Sequence, residues 1–221
     1  MSVRLGMPVF RIWRPVERMR EAVEAAEHAW AALGVTAFED VDSGTAEWNA
    51  AAARNRAVRR VAPAPGYSGA STPLVITDAD TAPLSLQPLH AAAFRVTSAM
   101  DPVVLPYTTL RAVTPEGKTV SEFDWSCGGI YVTTPYGWWT MGGQDERFTG
   151  WSPEDFAFRI AVETRTGKPM PRAEGVAVSY QHEPNPDRHP PGTTELFERY
   201  RNASGSYAAI DALHGFGRKY R

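Results

Sequence analysis

The chain has 221 residues, 43% of them hydrophobic, a single cysteine and a formal net charge of −2. A chain of that size buries roughly 70% of the surface its unfolded form exposes, so it needs no covalent staples to hold a core. The lone Cys127 excludes a disulfide framework and a cysteine-built zinc cluster, and the charge balance excludes a general polyanion binder. No apolar run approaches the ~18 residues of a membrane span. Arg4, Pro8 and Arg11 interrupt any apolar signal core, so a cytoplasmic chain is expected.

Val3 to Phe10 reads as a buried first strand. Pro15 suits the first turn of a helix, where its missing donor does no harm. Val16, Met19, Val23, Ala26, Trp30 and Leu33 then recur at three- and four-residue steps, one apolar stripe that Gly34 ends. Val35 to Phe38 reads as a second strand running into Glu39-Asp40-Val41-Asp42. A second helix is expected from about Thr45 to Val61, closed by Pro63 and Pro65. Leu74 to Thr77 is a buried-strand signature that passes directly into Asp78-Ala79-Asp80. Strands alternating with helices argue for parallel pairing with helices on the sheet.

Farther on, Val103–Leu105, Leu110–Val113, Thr119–Phe123 and Ile130–Thr133 read as short strands, with a turn at Pro115 to Lys118. A third helix should begin at Ser152-Pro153 and stop near Gly167-Lys168-Pro169. Val176–Tyr180 is a last strand, followed by a loop with Pro184, Pro186, Pro190 and Pro191, and the tail from Thr194 reads as helical. The expected architecture is a single α/β domain, residues 1–221, with a mixed, mainly parallel central sheet flanked by helices.

Two segments could carry chemistry. Asp78-Ala79-Asp80 follows a buried strand, and in open α/β sheets ligands bind outside that end. Two such carboxylates suit Mg²⁺ or Mn²⁺ shared with a phosphate, although a solvated turn uses the same residues. The second segment is Gly142-Gly143-Gln144-Asp145-Glu146-Arg147-Phe148-Thr149-Gly150-Trp151-Ser152-Pro153-Glu154-Asp155. Ser152 as cap, Pro153 in the first turn and the two acids at the positive helix end account for its last part. The glycine pair, Asp145-Glu146 and Trp151 are left over. A carboxylate at a helix start beside an aromatic platform is a good place for a general base facing a sugar hydroxyl.

The pattern Gly-Gly-x-Asp-Glu-x-Phe-x-Gly-Trp-x-x-Glu-Asp resembles the acceptor-side motif of β-1,4-galactosyltransferases and related inverting glycosyltransferases of the GT-A fold. The resemblance implies a GT-A-like, Rossmann-like domain whose first 80 or so residues hold the nucleotide sugar and whose remainder, about 81–221, holds the acceptor. It implies Mn²⁺ or Mg²⁺ on Asp78, Asp80 and His182, with His189 as the substitute. Glu154 and Asp155 would be catalytic, and Gly143, Trp151, Glu154 and Asp155 would hold the acceptor. Pro8 and Arg11 after the first strand, Arg54 and Asn55, and Asp78 with Ala79 resemble donor-facing positions. Asp40 and Asp42 either receive the base or ribose or form a polar loop. Ser152-Pro153 replaces the usual glycine pair, so neither galactose as donor nor N-acetylglucosamine as acceptor is carried over.

Smaller features stay open in both directions. Gly128-Gly129 allows close backbone approach to a ligand or forms a bulge. Trp138 and Trp139 could contribute to an acceptor wall, with core packing accounting for at least one of the two. Arg56, Arg59 and Arg60 read as a solvated helix face, Cys127 as structural, and His28, His90 and His214 as structural. The function expected is metal-dependent transfer of a sugar from a nucleotide-diphosphate sugar, a UDP-sugar foremost, to an acceptor hydroxyl with inversion. The alternatives are a sugar-phosphate nucleotidyltransferase and a non-catalytic sugar-binding or structural domain. The acceptor could be a saccharide, a lipid-linked sugar, a protein or a modified nucleic-acid base.

Overall fold

The structure, a computed structural model, describes residues 5–13, 17–45, 47–61, 71–182 and 190–214. Pro15, Val16, Pro63, Pro65, Pro184, Pro186, His189 and the first four residues lie outside that set, so the readings placed on them stay with the sequence.

Nine strands and seven helices follow one another among the described residues. They are β1 Val9–Ile12, α1 Arg20–Ala32, β2 Glu39–Val41, α2 Ala50–Val61, β3 Leu74–Asp78, β4 Thr81–Pro83, α3 Gln87–Thr97 and β5 Val103–Val104. Then come β6 Thr109–Val113, β7 Thr119–Phe123, β8 Ile130–Thr133, α4 Pro135–Thr140, α5 Glu154–Thr166, β9 Val176–Tyr180, α6 Thr193–Ala203 and α7 Tyr207–His214. The strands form a five-stranded sheet in the order β2-β1-β3-β8-β5 and a four-stranded sheet in the order β4-β9-β6-β7. Parallel pairing joins β1 to β2, β1 to β3 and β6 to β9, and the other ladders are antiparallel. This is a mixed α/β architecture with helices packed on both sheets: α2 on β1 to β3, α3 on β5 and β8, α1 on β4 and β9.

The apolar stripe of α1 does what its spacing predicts. Ala22, Val23, Ala26 and Trp30 are buried, and the Trp30 indole donates to the Thr81 carbonyl at 2.9 Å, which ties the helix to β4. Gly34 ends it with a φ of +80°, a conformation that a side chain would oppose. β3 and β8 are the buried centre of the five-stranded sheet, with Leu74, Val75 and Ile76 of β3 fully covered.

Several expectations shift. The second strand is Glu39–Val41 and not Val35–Phe38. Its charges are tolerated because it is an edge strand, and its register sets Asp40 opposite Arg11, with which it forms an ion pair at 2.6 Å. The first strand starts at Val9, later than the apolar composition suggested. The second helix begins at Ala50 rather than Thr45, because Asn49 Oδ1 accepts from the Ala52 N–H at 2.8 Å and starts the helix there. α3, α4 and the short β4 had no counterpart in the sequence reading. Trp138 in α4 is core, its Nε1 donating to Asn55 Oδ1 at 2.8 Å.

Candidate active site

β3 ends at Asp78 and the chain turns through Ala79 and Asp80 into β4. Backbone bonds fix that turn: Asp78 N donates to the Gly129 carbonyl at 2.7 Å, and Tyr180 N donates to the Asp80 carbonyl at 2.8 Å. The hydroxyl of Thr81 donates to Asp80 Oδ1 at 3.0 Å. Because β9 runs antiparallel to β4, it delivers His182, two residues past its end, to the Asp80 side chain. Their Nε2 and Oδ2 atoms are 3.5 Å apart.

α5 brings Glu154 and Asp155 from the other side. Ser152 does not cap this helix as expected: Pro153 holds the cap position, and the Ser152 hydroxyl lies 3.1 Å from Glu154 Oε2. The loop before it is pinned to the start of α2. Gly150 N donates to the Trp48 carbonyl at 2.8 Å, and Asn49 Nδ2 donates to the Glu146 carbonyl at 2.7 Å.

Arg54 of α2 sits between the two acidic segments and is only 2% exposed. Its Nη2 donates to both Asp78 oxygens at 2.8 and 3.0 Å. Its Nη1 donates to Asp155 Oδ1 at 2.6 Å, Gln144 Oε1 at 2.9 Å and Glu154 Oε1 at 3.1 Å. A cation buried this deeply is tolerable only because it is paired and hydrogen-bonded. Burial works against its charge, but Asp155 and Asp78 more than compensate and hold it protonated. One cation faces three carboxyl groups, and the acids feel the imbalance. Burial pushes Glu154 up to about 8, with Asp155 adding to the rise and Arg54 opposing it. Asp78 is pushed up to about 6 by burial against the pull of Arg54. Asp80 is raised by burial, while His182 opposes.

Asp155 has a more specific setting. Its Oδ1 accepts from the Tyr131 hydroxyl at 2.6 Å and from Gln144 Nε2 at 3.0 Å, besides Arg54. Tyr131 itself is pushed well above the ordinary phenol range by burial and by Asp155, so it remains a donor.

These groups open onto a cleft of about 380 Å³. Its lining includes Arg54, Asp78, Ala79, Asp80, His182, Trp151, Glu154 and Asp155, so eight of the site residues expected from sequence come together in one place. Pro8, Arg11, Asp40, Asp42, Asn55 and Gly143 are not in the lining. Arg11 pairs with Asp40 and Glu27, Asp42 pairs with Arg56 at 2.7 Å, and Asn55 binds Trp138 and the Gln144 backbone. Gly143 packs against Trp138, Trp139 and Asn55. Trp139 and Trp138 are also absent from the cleft.

The sequence reading missed Tyr131, Gln144, Arg18, Trp48, Trp125 and Phe156. Trp125 is 59% exposed and stacks on Phe156, the residue after Asp155, with a 27° interplanar angle, and both rings line the cleft. Asp145, by contrast, leaves the site. Arg147 and Tyr200 bind it, which pulls its carboxyl below the usual range although burial pushes the other way, and it anchors α6. Cys127 is buried, and burial with Asp155 nearby pushes its thiol up to about 12, as fits an inert residue.

For a hard divalent cation the donors fit in part. Two ligand atoms each about 2.1 Å from one ion stand roughly 3.0–3.4 Å apart, and the Asp80–His182 separation is close to that. Asp78 is turned to Arg54 instead. Among the described residues no three His, Cys, Asp or Glu side chains form a ready metal centre.

No protein-family model matches the sequence, and no curated protein matches it. Solved structures do. GalNAc-T7, crystallised with UDP, GalNAc and Mn²⁺, is similar over 98% of this chain and 49% of its own, at 11% identity and a TM-score of 0.54. The catalytic domain of Drosophila β1,4-galactosyltransferase 7 with xylobiose gives 17% identity over 76% of this chain and 64% of its own, with a TM-score of 0.47. A variant of that enzyme with manganese, UDP-Gal and xylobiose gives 16%, 76%, 65% and 0.45. The chain thus spans about half of GalNAc-T7 and less than two thirds of the galactosyltransferase. The likeness to GalNAc-T7 is one of fold: the mixed α/β arrangement of sheets flanked by helices is that of the GT-A glycosyltransferases.

Proposed function

We propose that this chain transfers a sugar from a nucleotide-diphosphate sugar, a UDP-sugar foremost, to an acceptor hydroxyl, with inversion at the anomeric carbon. The observation that carries the reading is the convergence of Asp80 and His182 with a clamped Asp155 in one cleft, where Arg54 bridges Asp155 and Asp78.

Asp155 is the general base. Three donors hold Oδ1, and Oδ2 receives no hydrogen bond among the described residues. That leaves Oδ2 as the oxygen to take the acceptor's proton. As the proton moves to Oδ2, the acceptor oxygen bonds to the anomeric carbon, and the bond from that carbon to the diphosphate oxygen breaks, its electron pair leaving with the diphosphate. A positioned base contributes typically ~10²- to 10⁴-fold. Glu154, raised to about 8, keeps its proton near neutral pH. Asp80 and His182 would hold Mn²⁺ or Mg²⁺, which supplies charge stabilisation at the diphosphate when bound. Trp151, with Trp125 and Phe156, gives the acceptor an apolar face to lie on.

The test is Asp155→Asn. Release of nucleoside diphosphate from the donor should fall by at least ~10², while affinity for the nucleotide sugar stays within a few fold. Equal loss of binding and turnover would make Asp155 a structural partner of Arg54 and remove it as the base.

A further inference from the structure

Gly128 lies in the loop between β7 and β8 and lines the cleft. Its neighbour Gly129 has a φ of +87°, which favours glycine, but Gly128 has no such torsion. Its carbonyl accepts from the Tyr107 hydroxyl, a bond any residue would make. The backbone at 128 therefore does not call for glycine.

Asp155 does. A Cβ added at Gly128 would fall 2.0 Å from Asp155 Oδ2 and 2.8 Å from its Cγ. The end of a flexible side chain would ordinarily swing away from such a clash. Here Oδ1 is held by Arg54 at 2.6 Å, Tyr131 at 2.6 Å and Gln144 at 3.0 Å, so the carboxylate cannot turn without breaking bonds to a buried cation. One oxygen is clamped by three donors, and the other rests against the bare Cα of residue 128.

We propose that Gly128 is a positioning residue for Asp155: the missing side chain at 128 is what lets Oδ2 occupy its place on the cleft wall. This rests on the reading of Asp155 as base for its consequence in turnover, and on the packing alone for the contact.

The experiment is a double-mutant cycle of Gly128→Ala and Asp155→Ala, read by melting temperature and by turnover of a UDP-sugar with Mn²⁺. In the wild-type background Gly128→Ala should lower the melting temperature by roughly 3–8 °C, the range for overpacking in a chain of this size. Turnover should fall about 10²-fold, as for a misplacement near 1 Å, with nucleotide-sugar affinity within about threefold. In the Asp155→Ala background the same substitution should change neither quantity, because the clashing atoms are gone. An equal melting loss in both backgrounds, or none in either, overturns the assignment. Should Gly128→Ala fail to fold, folding of the double variant is the supporting result and its failure the contrary one. A wild type that turns over no UDP-sugar removes the transferase reading and the catalytic half of this assignment, while the melting cycle still decides the contact.

Discussion

Glu154 carries the sharpest physical prediction. Its side chain is 9% exposed, it shares Arg54 with Asp78 and Asp155, and burial lifts it to about 8 from an ordinary 4.5. Between those two values the folded chain holds a proton that the unfolded chain has released. Stability therefore falls as pH rises through that window, by about 1.4 kcal/mol per unit. Glu154→Gln keeps the shape, an acceptor for Arg54 and a donor toward Ser152, and it removes the titration. The variant should match the wild type near pH 5 and exceed it increasingly above, by about 4 kcal/mol at pH 8 as an upper bound. Urea denaturation of both proteins from pH 5 to 8.5 measures this directly, and the carboxyl groups outside the Arg54 cluster cancel in the difference. A gap that stays constant over that range would show Glu154 ionising normally, and Arg54 would then be satisfying all three acids at once.

Three further outcomes follow from the same contacts. Arg54→Met leaves Asp78, Glu154 and Asp155 facing one another and should destabilise the chain by about 3–5 kcal/mol, seen as a lower urea midpoint; a change below about 1 kcal/mol would contradict the buried cluster. His214 is partly buried beside Tyr200, and the loss of solvent pushes it down to about 4. Its folded value lies below its unfolded one, so it contributes stability that is full above about 6.5 and is lost as pH falls toward 4. His214→Phe should flatten that acid limb of the stability profile, and an unchanged limb would exclude the histidine as its source. Trp151→Ala should raise the acceptor KM and leave nucleotide-sugar affinity unaltered; loss of donor affinity instead would move Trp151 to the donor side.

Periodicity and burial pattern made much of this fold legible. The stripe on α1 and the apolar run of β3 depend on nearest neighbours in sequence; Val23, Ala26 and Trp30 of the stripe and Leu74 to Thr77 of β3 are buried as read, while Met19 and Leu33 flank α1 half-buried. β2 was misplaced because its acids are stabilised by Arg11, which the sheet register supplies, and by Arg60 of α2, which tertiary packing supplies. α3 was missed because Gln87-Pro88 at its start and an exposed Phe94 blur its apolar face.

Within the site, Asp78, Asp80, Glu154, Asp155 and His182 were legible as types of residue in a known order. Their relation was not. Arg54 lies in a helix rich in arginine, and nothing local distinguishes it from Arg56 or Arg59, which remain substantially exposed. It is buried because three carboxyl groups, between 24 and 101 residues distant, meet at its fork. Tyr131 was hidden within a strand-like run, and Gln144 was passed over between a glycine pair and two acids. Their roles come from the distance to Asp155 alone.

The central claim is that the cleft binds a nucleotide-diphosphate sugar through a cation held at Asp80 and His182. Thermal shift with UDP-, GDP-, TDP- and CMP-sugars, each with Mn²⁺ and with EDTA, tests it most directly, because a ligand that binds only the folded chain raises its melting point. A shift that needs both one class of nucleotide-diphosphate sugar and Mn²⁺, and that Asp80→Ala abolishes, is the expected result. A wild type that gives no shift with any donor, or the same shift in EDTA, would contradict it.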